Sequence, residues 1–170
     1  MKKSKLIVLL IIWFLWSAGK SLDVFVRYSI STDYYIFNSN GLAPLFFIFV
    51  LSAFLLDSSA VYFLFNPRRQ GFYFALAALA TGAIETITAV ILAIPNLAGV
   101  REAYAIGREL RGLSVREKAM DIIFTPEAMY SSLGVSLMLY ALIAFFVVRK
   151  KAYFDNGFYD DEEYDEDEDI

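Results

Sequence analysis

Three ionisable residues interrupt long apolar runs of this 170-residue sequence and are its first candidates for chemistry. Glu85 lies within residues 72–94, Asp57 lies within residues 42–65, and Lys20 follows the apolar start of the chain. The runs around Glu85 and Asp57 are long enough to cross a bilayer, which takes roughly 20 residues in a helix. The apolar start, residues 6–16, reaches that length only if its helix continues to about Val26 with Lys20 and Asp23 inside it. Because a charge inside the hydrocarbon is costly, such residues are functional-site candidates by default.

The residue types that are missing restrict the chemistry further. The sequence contains no Cys and no His, which excludes disulfides, thiolate metal sites, haem ligation by His and His-based triads.

Ser132, Ser136 and Tyr140 recur every four residues, but a Ser nucleophile needs a base, and only Lys20 could serve. We interpret that stripe as packing, and we predict no catalytic, cofactor-binding or metal-binding residue and no cofactor. No phosphate loop, dinucleotide fingerprint or nucleic-acid module is present.

Helical rise places the polar residues at two depths. An α-helix rises roughly 1.5 Å per residue, and we measure depth from the end of each apolar run that carries a basic cluster. Lys20 and Glu85 then both lie about 21 Å deep, and Asp23 lies one helical turn beyond Lys20. Asp57 and Tyr140 both lie about 12 Å from that side. Depth therefore allows an ion pair between Lys20 and Glu85 and a hydrogen bond from Tyr140 to Asp57. These pairs could fix helix register, or they could form a polar path for a proton, a cation or a small substrate.

The elements that must position these residues are transmembrane helices. The composition is 58% hydrophobic with a mean hydropathy of +0.53, and the apolar residues collect into uncharged runs that a soluble core does not need. We predict an all-α polytopic membrane protein, an antiparallel four-helix transmembrane bundle within a domain of residues 1–151. The predicted spans cover about residues 6–26, 42–65, 72–94 and 128–148. The basic start could be a secretory signal, but Trp16 at the −3 position disfavours cleavage after Ala18, and we expect an uncleaved first helix.

The connections carry their own signals. Residues 28–41 combine a Tyr cluster suited to a membrane interface with turn chemistry. We predict amphipathic helices at about 100–111 and 114–124, the second opened by a capping box of Ser114 and Glu117. These helices could lie on the membrane surface or form a short extracytoplasmic cap on the bundle. Residues 152–170 hold most of the acids of the chain and are predicted to be a disordered cytoplasmic tail.

The distribution of basic residues predicts the orientation. Basic clusters at the start of the chain, at Arg68 and Arg69, and at residues 149–151 fall on one side of four spans. We therefore expect a multi-pass protein of the cell membrane with both termini in the cytoplasm.

The net charge of −4 comes from the tail, since residues 155–170 contain ten acids and no base. That tail could attract a basic partner or divalent cations, although acidic runs without calcium-loop spacing are usually only solvated.

Three function classes fit the sequence. The first is a non-enzymatic accessory or assembly subunit of a larger membrane complex, held to a membrane-protein partner or to a second copy through small residues such as Ala78 and Gly82. The second is a small transporter or ion- or proton-conducting protein that uses intramembrane carboxylates. The third, an enzyme acting on lipid, has the weakest set of catalytic groups. A cavity that reaches Glu85 favours transport, whereas a dry, paired Glu85 favours the subunit.

Overall fold

A computed structural model describes residues 4–156 and shows an all-helical chain, with no strand in that range. Eight α-helices follow one another in the sequence. They are α1 (Lys5–Val26), α2 (Thr32–Ser39), α3 (Ala43–Phe65), α4 (Arg69–Ala93), α5 (Leu97–Glu109), α6 (Glu117–Ile123), α7 (Pro126–Arg149) and α8 (Lys151–Asn156). Helices α1, α3, α4 and α7 are long and apolar enough to cross a membrane.

We call these four candidate membrane-crossing helices the spanning helices. Sequence signals mark the starts of two of them and the end of a third. Pro44 and Pro126 stand in the first turns of α3 and α7, where a missing N–H costs no intrahelical bond. The Thr125 hydroxyl caps α7 by accepting a 3.2 Å hydrogen bond from the Ala128 N–H. Pro95 follows α4 in a short 3₁₀ turn and separates it from α5. The predicted spans are thus present, each with ends within about three residues of the expected positions.

The spanning helices pack in a fixed order. Helix α1 packs against α3, α3 against α4, and α4 against α7, whereas α7 makes only a few contacts with α1. Buried apolar residues of all four helices form the largest core cluster, with Leu10, Phe14, Leu64, Leu79 and Val147 among its members. The contact between α1 and α7 is therefore the loosest boundary between two spanning helices.

Helix α8 revises the predicted start of the acidic tail. Tyr153 and Phe154 are buried, and the Tyr153 hydroxyl donates a 2.8 Å hydrogen bond to the carbonyl of Leu64. The Lys151 ammonium lies 5.7 Å from the ring centroid of Phe72. Residues 151–156 are therefore folded, because two aromatic side chains anchor them to the core. The rest of the predicted tail, residues 157–170, lies outside the described residues.

The connections contain one helix that the sequence analysis missed and two that it placed approximately. Helix α2 lies in the segment 28–41 and packs against α3, α4 and α5. Helix α5 begins three residues before the predicted 100–111. Helix α6 is shorter than the predicted 114–124, and the expected capping box is wrong, since Arg116 precedes the first turn and no side chain caps it. Arg101 of α5 instead ties α6 in place through Glu117 at 2.8 Å and Asp121 at 2.7 Å.

Candidate functional site: a polar cavity around Glu85

Three adjoining cavities surround the polar residues of the spanning helices. We name them the central cavity (about 50 Å³, between α1, α3, α4 and α7), the lateral cavity (about 300 Å³, between α1, α4 and α7) and the loop-side cavity (about 460 Å³, between α1, α2, α5 and the start of α7). Lys20 and Asp33 line all three. The two residues therefore mark the point where the cavities meet, and we call the three cavities together the chamber.

Asp57 forms the floor of the central cavity. Its side chain is only 4% exposed, and it accepts a 2.6 Å hydrogen bond from the Ser17 hydroxyl of α1. A buried carboxylate needs such donors, because its charge has lost the solvation of water. The hydrogen bond from Tyr140 that equal depth allows is absent from the described part of the chain, where the Ser17 hydroxyl is the donor. Depth along a helix does not reveal the direction in which a side chain points, and Tyr140 faces Gly82 and Trp13 instead.

Glu85 lies at the opposite wall, where the central and lateral cavities both reach it. The carboxylate is half-buried and interacts electrostatically with Asp33, Lys20 and Asp57. Within residues 4–156, no side chain forms a hydrogen bond or an ion pair with it. Glu85 is thus a membrane carboxylate that faces open space rather than a partner.

The predicted ion pair between Lys20 and Glu85 is absent from the described part of the chain, although both residues line the same two cavities. Lys20 is exposed to the cavities and does not reach the carboxylate. Asp23 forms an ion pair with Arg27 one turn away and lines the loop-side cavity. Lys20 and Glu85, for which equal depth was predicted, therefore line the same cavities but do not form an ion pair.

Asp33 is a site residue that sequence reasoning missed. It lies in the first turn of α2, in a segment that the sequence predicts to be an interfacial connection, so its depth in the membrane could not be predicted. The packing of α2 against α3 and α4 carries its carboxylate to the junction of the cavities. The signal available in the sequence was Thr32-Asp33 at the start of an eight-residue helix, where an acid is favourable.

The chamber is closed at one end and open at the other. The dense apolar cluster of Phe14, Leu64, Leu79, Ile143 and Val147 fills the bundle on the side where α8 packs. Trp13 and Tyr140 meet edge to face, with ring centroids 6.3 Å apart, and line the chamber just above that cluster. In the other direction, the loop-side cavity continues to Tyr104 and Arg111 of the connecting segment. The cavities that hold the polar residues are therefore closed on the side of the apolar cluster and continue toward the connecting segments.

No protein-family model, curated protein or solved structure shows a significant match to this chain. The functional conclusion therefore depends on the chamber and on the residues that line it.

Proposed function

We propose that this chain is a small membrane transport protein that moves a proton or a small cation through the chamber around Glu85. The observation that carries the proposal is the position of Glu85, an unpaired carboxylate where the central and lateral cavities meet. A carboxylate kept only for packing would be expected to have a partner, because an unpaired buried charge is destabilising. Among the function classes that the sequence allows, transport accounts best for a half-buried carboxylate that faces a cavity.

The charge of the chamber supports a cationic substrate. In the central cavity, Asp33, Asp57 and Glu85 face a single Lys20, a formal excess of two negative charges when all four groups are ionised. The loop-side cavity adds Asp23, Arg27 and Arg111, which leaves the three cavities together with an excess of one negative charge. Walls of low dielectric strengthen the field of such an excess. A proton or cation entering the chamber would therefore be attracted, and an anion would be repelled.

The architecture that we propose for this function is an antiparallel bundle with both termini in the cytoplasm. The sequential packing of α1, α3, α4 and α7 supports this arrangement, as do the basic residues Arg68 and Arg69 in the short turn between α3 and α4. In this orientation α5 and α6 form an extracytoplasmic cap, and the loop-side cavity opens to the outside. The apolar cluster then closes the cytoplasmic half, which is the arrangement of an outward-facing state.

A liposome assay tests the proposal. Purified protein is reconstituted into vesicles that contain a pH-sensitive, a sodium-sensitive or a potassium-sensitive dye, and flux of each cation is measured under an imposed membrane potential. The proposal predicts flux of at least one of these cations in the unaltered protein and its loss in Glu85→Gln. Glu109→Gln is the matched control, because Glu109 is exposed on α5 and lines none of the three cavities. A chain that conducts none of these cations above empty vesicles would overturn the proposal.

A second candidate function is the accessory subunit of a larger membrane complex. Helix α7 favours it, since only Ile143 and Val147 of its 24 residues are buried. Gly134 on this helix is exposed, with open space where a Cβ would stand, as on a surface that another helix could approach. A pull-down in mild detergent tests this function. A stoichiometric membrane partner that is lost in Gly134→Leu would support it, and a monodisperse chain without a partner would exclude it.

A further inference from the structure

The lateral cavity lies at the loosest boundary of the bundle. It is lined by α1 (Trp13, Trp16, Ser17 and Lys20), by α4 (Glu85 and Thr86) and by α7 (Ser136, Leu139 and Tyr140), together with Asp33 of α2. Helices α1 and α7, which both line it, make few contacts with each other along their whole length. In a bilayer, a gap between two helices that cross it would face lipid, so a molecule could reach Glu85 through this cavity from the hydrocarbon as well as from the loop side.

The lining of this cavity combines two kinds of chemistry. Trp16 is 62% exposed, and its ring centroid lies 6.1 Å from that of Trp13, so two indoles flank the gap. Behind them stand the carboxylates of Asp33 and Glu85 and one ammonium group, that of Lys20. Indole faces attract organic cations, and desolvation strengthens the attraction. The gap thus presents aromatic and apolar surface at its mouth and an excess of negative charge inside.

We propose that the substrate of this site is an amphipathic organic cation, a quaternary or protonated amine with an apolar chain, which enters between α1 and α7. The inference rests on the proposed function and names the substrate class of the same site. The charged head would lie between Trp13 and Glu85, and the apolar chain would pass Trp16 and Leu139 into the lipid.

The size of the cavity supports an organic cation over a bare ion. A volume of about 300 Å³ is at the lower end of sites that take small organic molecules. A proton or a sodium ion requires neither that volume nor two indoles at the mouth. The polar groups of Ser17, Thr86 and Ser136 could orient an amine head.

The composition of the chain supplies a direct reporter. Trp13 and Trp16 are the two Trp residues of the sequence, and both line the lateral cavity. In the variant Trp16→Phe, all indole fluorescence therefore comes from the half-buried Trp13. Dodecylpyridinium is a suitable probe, because it is an amphipathic cation whose pyridinium head quenches indole fluorescence on contact. Methylpyridinium carries the same head without the chain.

The experiment is a quenching titration of full-length Trp16→Phe in nanodiscs built with a Trp-free scaffold protein, with and without Glu85→Gln. We expect saturable quenching by dodecylpyridinium, a binding constant weakened roughly tenfold by Glu85→Gln, no change with Glu109→Gln, and no saturation with methylpyridinium at the same concentrations. Quenching that rises linearly and equally with and without Glu85→Gln would overturn the inference, since it would report only partition into lipid.

The flux assay separates this inference from the proposed function. If Glu85-dependent flux of protons, sodium or potassium is present but dodecylpyridinium neither saturates nor inhibits it, the substrate class is wrong and the transport proposal stands. If saturable binding is observed without flux of protons, sodium or potassium, the transport proposal as stated fails and only the binding site remains. Nanodiscs of phosphatidylcholine and of a neutral glycolipid distinguish the source of the cation. Weaker binding in phosphatidylcholine indicates that a choline headgroup competes, and equal binding indicates a free amine.

Discussion

The Ser17 hydroxyl on α1 donates a 2.6 Å hydrogen bond to the Asp57 carboxylate on α3, and this bond joins two spanning helices at the floor of the chamber. Asp57 is almost fully buried, so the bond compensates part of the cost of removing its charge from water. It is also the contact that separates the roles of the two intramembrane carboxylates, because Asp57 has a donor and Glu85 has none in the described part of the chain.

Removing this donor should destabilise the bundle. Ser17→Ala leaves a buried acceptor without its partner, and we expect a loss of about 1–3 kcal/mol in the free energy of unfolding. Unfolding in detergent, followed by circular dichroism, measures the change. Ser59→Ala is the control, because its hydroxyl bonds only to the Leu55 carbonyl of its own helix. A double-mutant cycle with Asp57→Asn should give a coupling energy above about 0.5 kcal/mol, and strict additivity would contradict the account.

Gly82 should be required for the close approach of α4 and α7. A Cβ at this position would lie 2.8 Å from the Tyr140 hydroxyl and 3.0 Å from its ring, which is too close for an unshifted side chain. We therefore expect Gly82→Ala to destabilise the protein by about 1–3 kcal/mol, with partial recovery in the double variant that adds Tyr140→Phe. Gly134→Ala is the matched control, since open space surrounds that position. Equal melting temperatures for the two Ala variants would show that α4 and α7 do not pack as described.

Helix α8 should stabilise the end of the bundle where the apolar cluster lies. Tyr153→Phe removes the hydrogen bond to the Leu64 carbonyl and should cost about 1 kcal/mol. Phe154→Ala removes a buried ring next to Gly71 and should cost about 3–5 kcal/mol. Phe145→Ala provides the comparison, because that ring is 58% exposed on α7. Limited proteolysis after residue 150 and thermal melts both report the effect, and a Phe154→Ala variant as stable as Phe145→Ala would exclude an anchoring role.

The proposed orientation can be measured with single cysteines, since the chain has none of its own. Glu109→Cys places an exposed thiol at the end of α5, and Gln70→Cys places one in the first turn of α4, next to the connection from α3. We expect a membrane-impermeant maleimide applied to intact cells to label Glu109→Cys, and to label Gln70→Cys only after lysis. The reverse pattern would place both termini outside and the loop-side cavity in the cytoplasm.

The spanning helices could be predicted from the sequence because a bilayer requires long apolar runs, and Pro44 and Pro126 marked two of their starts. Helix α2 could not be predicted in the same way. Its eight residues carry mixed polarity, and its formation depends on Ile36 and Phe37 reaching a core built by distant helices. The folding of residues 151–156 likewise depends on a tertiary contact, that of Phe154, which overrides the charge of the tail.

The membrane depth of the site residues could be predicted from the sequence, but the direction in which their side chains point could not. Counting residues brought Lys20 and Glu85 to one level, and the structure places both at the same cavities. Counting residues along the helices could not show that Ser17 rather than Tyr140 faces Asp57. The direction of a side chain around the helix axis depends on how that helix is rotated against its neighbours. Asp33 was not predicted as a site residue, because the membrane depth of a connecting segment is known only once its packing is known.

The central claim is that the chamber around Glu85 is open to water and cations from the loop side and closed at the other end. Ser136→Cys tests it most directly, since Ser136 lines the lateral cavity and makes no hydrogen bond there. The account predicts modification by a small cationic methanethiosulfonate applied from the loop side, faster than by its anionic counterpart, and protection from the opposite side. The lipid-facing control Met138→Cys, whose side chain is 68% exposed, should react slowly with both reagents. A Ser136→Cys thiol that reacts no faster than that control from either side would mean a dry chamber and would contradict the account.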